Sequence, residues 1–383
     1  MKKRIISLLL VMLLVILSAA VVPTASAQTA ASESKVEQYL ASMSTEDKIS
    51  MMIMPAFRWT TDEEGNRLNV TEITDDIADS LNRHSFAGVI LFAQNTSTNE
   101  GATRLIDALQ KENAAGGDRP QLLISIDQEG GNVTRLGQGT MTPGNMALGA
   151  INDTEVTKEV ATMIASELNA IGINTDFAPD VDVNSNPANP VIGVRSFSDD
   201  PQIVAAHGSA FVEALNDMGV ISTLKHFPGH GDTGTDTHTG YAETLKTWDQ
   251  LRDCEMIPFR AGIAEGTDLV MTAHIAAPNV TGSGEPATMS YTILTEKLRG
   301  ELGFEGLIIT DALSMGAITK AYTSAEACVA CIQAGIDILL MPSDYYEAFD
   351  GVVRAVETGE IPESRIDESV CRILAFKRRA GEE

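Results

Sequence analysis

Positive charge is scarce in this chain: 27 lysines and arginines stand against 53 aspartates and glutamates, a formal net charge of −26 over 383 residues. Such a field repels nucleic acid and anionic surfaces unless a basic patch breaks it, and no such patch stands out. Nucleic acid and other polyanions are therefore excluded as partners, and the scattered acids read as a solvated exterior. Cysteine is scarce too: Cys254, Cys328, Cys331 and Cys371 do not form a dense disulfide framework, which a domain of this size does not need. Cys328 and Cys331 make a single CxxC, and without a second pair it reads as small buried side chains on a helix rather than redox or metal chemistry. Also missing are an early glycine-rich phosphate loop, an HExxH pair, a linker and any low-complexity stretch. These absences count against a dinucleotide fold, a zinc protease and a second domain.

One long apolar run is present. Lys2, Lys3 and Arg4 precede apolar residues from Ile5 to Val22, and Ala25-Ser26-Ala27 follows as a small-residue cleavage site. Residues 1–27 are expected to be a signal peptide, leaving a secreted or cell-wall-associated chain from Gln28. An uncleaved anchor is the alternative, against which Pro23 breaks the run. No cysteine sits at the cleavage point to carry a lipid. Residues 28–383 are expected to form one domain, and 44% hydrophobic residues suit a large core.

Eight short apolar runs recur along it, at 51–57, 87–93, 121–127, 173–180, 220–227, 268–275, 306–311 and 336–342. They are continuous rather than alternating, as strands covered on both faces are. Amphipathic segments lie between them. Val156, Val160, Met163, Ile164, Leu168 and Ile171 repeat at helical spacing, as do Ile366, Val370, Ile373 and Leu374 after Pro362. Strand and helix alternating eight times predict an α/β fold closed as a (β/α)8 TIM barrel, with a doubly wound open sheet as its rival.

Five of the runs end in ionisable residues: Asp127, Asp180, Lys225 with His226, His274, and Asp311. Strand C-terminal ends converge on one mouth in a (β/α)8 barrel, so these groups are expected to form the site. Three of the six histidines, His226, His230 and His238, fall in KHFPGHGDTGTDTH, where Gly229, Gly231 and Gly234 permit tight turns. Residues 182–200 follow neither strand nor helix period, and a loop that long is usually functional. Two chemistries fit. Metal-assisted hydrolysis would use His226, His230 and His238 as ligands, but they bracket a Pro-Gly turn rather than sharing a helix face. Glycoside hydrolysis by double displacement needs a carboxylate nucleophile and a proton donor that later serves as base. Asp311 suits the first role, and His238 with Asp236 two residues before it suits the second.

The segments IDQEGGNVTRL (126–136), FAPDVDVNSNPANPVIGVRSFSDDP (177–201), KHFPGHGDTGTDTH (225–238), MTAHI (271–275) and ITDALSM (309–315) together resemble glycoside hydrolase family 3 and, within it, the β-N-acetylglucosaminidases. The resemblance implies Asp311 as nucleophile and His238 as acid/base with Asp236 as its partner. It also implies Asp127, Arg135, Arg195, Lys225, His226 and His274 as sugar contacts, and assigns Asp180 no role. No metal, cofactor or stable protein partner is implied; the partner is a carbohydrate, a glycan or muropeptide bearing N-acetylglucosamine. Family members that are β-glucosidases often take their acid from a second domain. Here the eight runs extend to residue 342, which favours the N-acetylglucosaminidase. Phosphorolysis and β-glucoside hydrolysis remain alternatives, as does a barrel that binds cell wall without catalysis.

Overall fold

The computed structural model describes residues 35–238 and 240–381, with side chains up to residue 378, so the expected signal peptide lies outside the described residues. The chain divides into two compact units after Ser42. In the first, residues 35–42 are helical. The second, from Met43 onward, carries the site.

Each of the eight apolar runs contains a strand: β1 (Ile53–Met54), β2 (Gly88–Ile90), β3 (Leu123–Ile126), β4 (Thr175–Asp176), β5 (Thr223–Phe227), β6 (Leu269–Thr272), β7 (Leu307–Thr310) and β8 (Leu339–Leu340). All eight are buried along their length, so no strand alternates between a wet and a dry face. Parallel ladders pair β1 with β8, β2 with β3, β3 with β4, β5 with β6, and β6 with β7. Single parallel bridges join Ala56 to Ile90, Thr175 to Ile221, Asp180 to Lys225 and Ile309 to Ile338. A helix follows every strand, which makes this an α/β fold.

Helix Thr154–Ile171 shows how the sequence sets the packing. The Asp153 side chain accepts from Glu155 N at its start, and Gly172, at φ 91°, ends it. Val160, Ile164, Leu168 and Ile171 from the expected stripe are buried, each stabilising the fold by roughly 1.5–3 kcal/mol. The stripe after Pro362 is likewise buried, on helix Glu363–Gly381. Cys328 and Cys331 lie buried on helix Ser324–Ala334, and all four cysteines are free thiols.

Two small pairings carry no matching signal in the sequence. Trp59–Thr61 and Arg67–Asn69 form an antiparallel hairpin after β1, closed by Asp62, whose side chain accepts from Glu64 N and Asn66 N. Its residues are exposed or half-buried, so it shows no apolar run. Ala242–Glu243 pairs in parallel with Ile275–Ala276.

Candidate active site

A cavity of about 530 Å³ opens beyond the C-terminal ends of the strands. Arg58 follows β1, Phe92 follows β2, and Asp127, Glu129 and Arg135 follow β3 in its lining. Lys225 and His226 come from the end of β5, Asp236 and His238 from the loop after it, Asp311 from the end of β7 and Met341 from the end of β8. Pro190, Val191 and Arg195 come from the 182–200 loop, which therefore forms part of the wall. Eight of the nine expected site residues line this one cavity. His274 does not. Its ring is buried beside the strand end, where Nε2 meets Ala312 O at 3.0 Å.

Beneath the cavity lies a buried network of charges. Lys225 Nζ donates to Asp127 Oδ1 at 2.8 Å and approaches Glu129 Oε1 at 2.7 Å. Arg195 holds Glu129 through two bonds, Nη2 to Oε1 at 2.7 Å and Nε to Oε2 at 3.0 Å, and Nη2 lies 3.3 Å from Asp180. Burial alone would raise the Glu129 pKa, but Arg195 and Lys225 outweigh it and hold the carboxyl well below the usual range. Burial pushes the other way at Asp180, which also has the Asp182 charge beside it, and its pKa is raised despite Arg195. Glu129 and Asp182 escaped the reading of strand ends, which did pick out Asp180. A signal was available: Asp127 and Glu129, like Asp180 and Asp182, are two apart, and extended residues at that spacing share a face.

Removing the Glu129 charge leaves two buried cations short of an anion. Glu129→Gln is therefore expected to lower the unfolding free energy by about 3–5 kcal/mol. Urea unfolding of the variant beside the parent checks this, and coincident midpoints would show that the network is not held together by that carboxylate.

Asp182 organises the next strand end. Its carboxylate accepts from His226 Nδ1 at 2.7 Å and from His230 N at 2.6 Å, leaving His226 Nε2 3.4 Å from Arg195 Nη2 on the cavity side. His230 is engaged elsewhere, Nδ1 with Thr233 Oγ1 at 2.8 Å and Nε2 with Thr237 Oγ1 at 3.1 Å. These bonds brace the loop that carries Asp236 and His238. Gly231 lets the same loop cross the 182–200 segment, because a Cβ there would lie 1.8 Å from Val183 O. Its glycine serves this close backbone contact.

At the loop tip His238 Nδ1 meets Asp236 Oδ1 at 2.8 Å, which leaves Nε2 as the nitrogen for proton exchange. The imidazole is 62% exposed, unlike the buried groups below it, so it can exchange protons with ligand and water. Gly316 N and Ala317 N donate to His238 O and Thr237 O, tying the tip to the segment that follows Asp311. Asp311 accepts from Ala312 N at 2.7 Å. Burial opposes its ionisation, but His274 and His226 more than compensate, and its pKa is lowered below the ordinary carboxylate value. Asp311 is therefore an anion at neutral pH, which a nucleophile requires.

The histidines weighed as metal ligands do not converge, since His230 is bound on both ring nitrogens and His238 sits on the loop tip. Asp180, Asp182 and His226 do bring donor atoms within 4.8 Å of one another. Arg195 lies 3.3 Å from Asp180 and 3.4 Å from His226, so a guanidinium already supplies the positive charge there.

Parallel strands whose C-terminal ends carry a pocket of paired charges define an α/β protein that binds its ligand at the strand ends. The sequence profile of the Glycosyl hydrolase family 3 N terminal domain matches residues 44–376, and the chain belongs to that family. Beta-hexosaminidase A of Pseudoalteromonas piscicida is 38% identical over 368 residues, covering 88% of this chain and 61% of the relative. The family 3 beta-N-acetylglucosaminidase of Paenibacillus sp. str. FPU-7 superimposes with a TM-score of 0.84 at 42% identity, over 89% of this chain and 63% of that one. This chain thus spans a little over three fifths of the length of both. Beta-N-acetylhexosaminidase of Beutenbergia cavernae matches with a TM-score of 0.78 at 28% identity, over 88% of this chain and 99% of its own.

Proposed function

We propose that this chain is a retaining β-N-acetylhexosaminidase that removes terminal β-linked N-acetylglucosamine, with Asp311 as nucleophile and His238, oriented by Asp236, as acid and base. The observation that carries the reading is the meeting of an ionised Asp311 and the Asp236–His238 pair in one cavity. The relatives named beta-hexosaminidase and beta-N-acetylglucosaminidase supply the substrate class. The ladders and bridges supply the scaffold. Joined through Ala56–Ile90, Thr175–Ile221 and Ile309–Ile338, the eight strands run round to the β8–β1 ladder, which supports a closed (β/α)8 barrel.

In the first step an Asp311 oxygen attacks the anomeric carbon while protonated His238 gives its proton to the departing oxygen. The products are a glycosyl ester on Asp311 and a free alcohol. In the second step neutral His238 takes a proton from water as that water attacks the same carbon, and Asp311 leaves as carboxylate. Two displacements return the β configuration. Asp127, Lys225, Arg195, His226 and Arg135 line the wall against which the sugar would sit. Secretion and release of N-acetylglucosamine from peptidoglycan fragments complete the proposal, resting on the amino-terminal pattern and the family resemblance.

Turnover of 4-nitrophenyl β-N-acetylglucosaminide and of the matching β-glucoside tests the substrate class. The N-acetyl compound is expected to be preferred by at least about 100-fold in kcat/KM, the scale of discrimination that a dedicated contact provides. Cleavage of the glucoside alone would assign a glucosidase, and cleavage of neither would favour a barrel that binds without reacting. Phosphorolysis is a second reading. A histidine acid places no further carboxylate beside Asp311, so an anionic acceptor is not repelled. Equal rates in phosphate and non-phosphate buffer, with no sugar 1-phosphate formed, would dispose of it.

A further inference from the structure

The loop that carries Asp236 and His238 is closed at its base around a lysine. Asp232, before the tip, and Thr244, after it, are joined by a bond from Thr244 Oγ1 to Asp232 Oδ2 at 2.9 Å. Lys246 Nζ lies 3.5 Å from the other oxygen of Asp232 and forms an ion pair with Glu255. It also donates to Ser185 Oγ at 3.2 Å, in the 182–200 segment, where the Asn186 side chain donates to Asp232 O and Thr233 O. One ammonium thus gathers the loop, the cavity-wall segment and the residue that precedes helix Met256–Ala264. Glu255 in turn lies under the start of the loop: it is buried, and a Cβ on Gly229 would lie 2.4 Å from its Cγ. Among the described residues Lys246 is the one cation paired with Glu255. Burial raises the Glu255 pKa, and the lysine opposes that shift.

We propose that Lys246 is a positioning residue for the acid/base loop, holding residues 232–244 closed so that the His238 imidazole stays in the cavity it shares with Asp311. Lys246 does not line that cavity, so it acts through the loop and not on the sugar. Without its ammonium the Asp232 and Glu255 carboxylates are left close together with no cation between them, and their repulsion opens the base. The tip is otherwise tied by Gly316 N and Ala317 N, which donate to backbone carbonyls, and by the contact of His230 Nε2 with Thr237 Oγ1. None of these three contacts grips the imidazole itself. Proton transfer is sensitive to small displacements, since a misplacement of about 1 Å costs roughly 100-fold, so a change at the base reaches the chemistry. A lysine with only a structural part would alter stability and leave the chemistry of the folded molecules as it was. The inference rests on the reading of His238 as acid and base.

The test compares the parent with Lys246→Met and Lys246→Arg on 4-nitrophenyl β-N-acetylglucosaminide and on a disaccharide with a terminal β-linked N-acetylglucosamine. Nitrophenolate departs with little need of a proton and a sugar does not. The aryl-to-disaccharide ratio of kcat/KM therefore reads how well His238 delivers one, and the amount of folded enzyme cancels. The ratio is expected to rise by about 10- to 100-fold in Lys246→Met and to return to within about threefold of the parent in Lys246→Arg, which restores the charge. Azide should raise kcat of Lys246→Met on the aryl glycoside and have little effect on the parent. Should Lys246→Met fail to fold, Lys246→Met combined with Glu255→Gln takes its place, because it leaves no buried charge unpaired. Hydrogen exchange at Gly316 N and Ala317 N gives a readout that needs no turnover, and it is expected to be at least about tenfold faster in Lys246→Met. An unchanged ratio, or an equal loss on both substrates without azide rescue, would overturn the proposal. If the parent cleaves neither substrate, the glycosidase reading fails by itself, and exchange decides the rest: faster exchange in the variant keeps the lysine as the clasp of the loop, and parental exchange overturns it.

Discussion

Asp311→Ala is expected to abolish turnover of 4-nitrophenyl β-N-acetylglucosaminide, by about 10⁴-fold or more, whereas His238→Ala is expected to slow it by about 10²–10⁴-fold and to change which step limits the rate. The difference follows from what each group does. Without the Asp311 carboxylate no glycosyl ester forms, and no leaving group compensates for that. Loss of His238 affects the two steps unequally. Nitrophenolate departs with little need of a proton, so the first step survives in part, while the second still needs a base to activate water. The ester on Asp311 should then accumulate, giving a burst of nitrophenol equal to the enzyme concentration. Azide, a nucleophile that needs no base, should restore the rate and yield a β-glycosyl azide. A natural sugar leaving group needs its proton, so His238→Ala should suffer more on a disaccharide than on the aryl glycoside. Asp236→Asn keeps the imidazole and an oxygen that can accept from Nδ1 but loses the negative charge 2.8 Å from it, and should fall between His238→Ala and the parent. Asp311→Ala at parental rates would remove the nucleophile assignment. Neither burst nor azide rescue in His238→Ala would remove the acid/base assignment.

The fold was legible in the sequence where burial leaves a periodic trace. The apolar runs located the strands because strands covered on both faces need no alternation, and the stripe of helix Thr154–Ile171 emerged because one face is buried and the other wet. The hairpin Trp59–Thr61 with Arg67–Asn69 left no trace because little of it is buried, yet it supplies the ring that fixes Arg58. The site was legible in the same uneven way. Residues at strand ends stood out, and Asp127, Lys225 and Asp311 do line the cavity. Glu129 and Asp182 lie two residues further on, where the backbone has left the strand, and their partners Arg195 and His226 come from other segments. No pattern within one segment encodes a contact between distant segments. His274 shows the converse limit: ending an apolar run puts a residue near the mouth but does not decide which way its ring points.

A gain in stability is expected at Lys377, which is not among the residues lining the cavity. This lysine is 5% exposed on the C-terminal helix, and its ammonium reaches only Phe86 O, at 3.2 Å. No carboxylate among the described residues pairs with it, and burial lowers its pKa from 10.5 to about 7. The unfolded chain keeps the ordinary value, so between pH 7 and pH 10.5 the unfolded state binds more protons than the folded one. Stability therefore rises with pH across that window, and below pH 7 the lysine costs the fold a constant penalty of roughly 5 kcal/mol. Lys377→Met removes the penalty and keeps most of the buried chain. It also leaves Phe86 O without that donor, at a cost of about 1 kcal/mol. The variant is thus expected to be more stable by roughly 3–4 kcal/mol at pH 6 and to lose most of that advantage by pH 10.5. Urea unfolding of both proteins at pH 6, 8 and 10 measures the difference directly. Because the two chains share every other titrating group, the pH dependence of that difference belongs to Lys377 alone. An advantage that stays flat with pH would mean the gain comes from better packing of the methionine. A loss of stability at pH 6 would mean the ammonium is solvated or paired in the native protein.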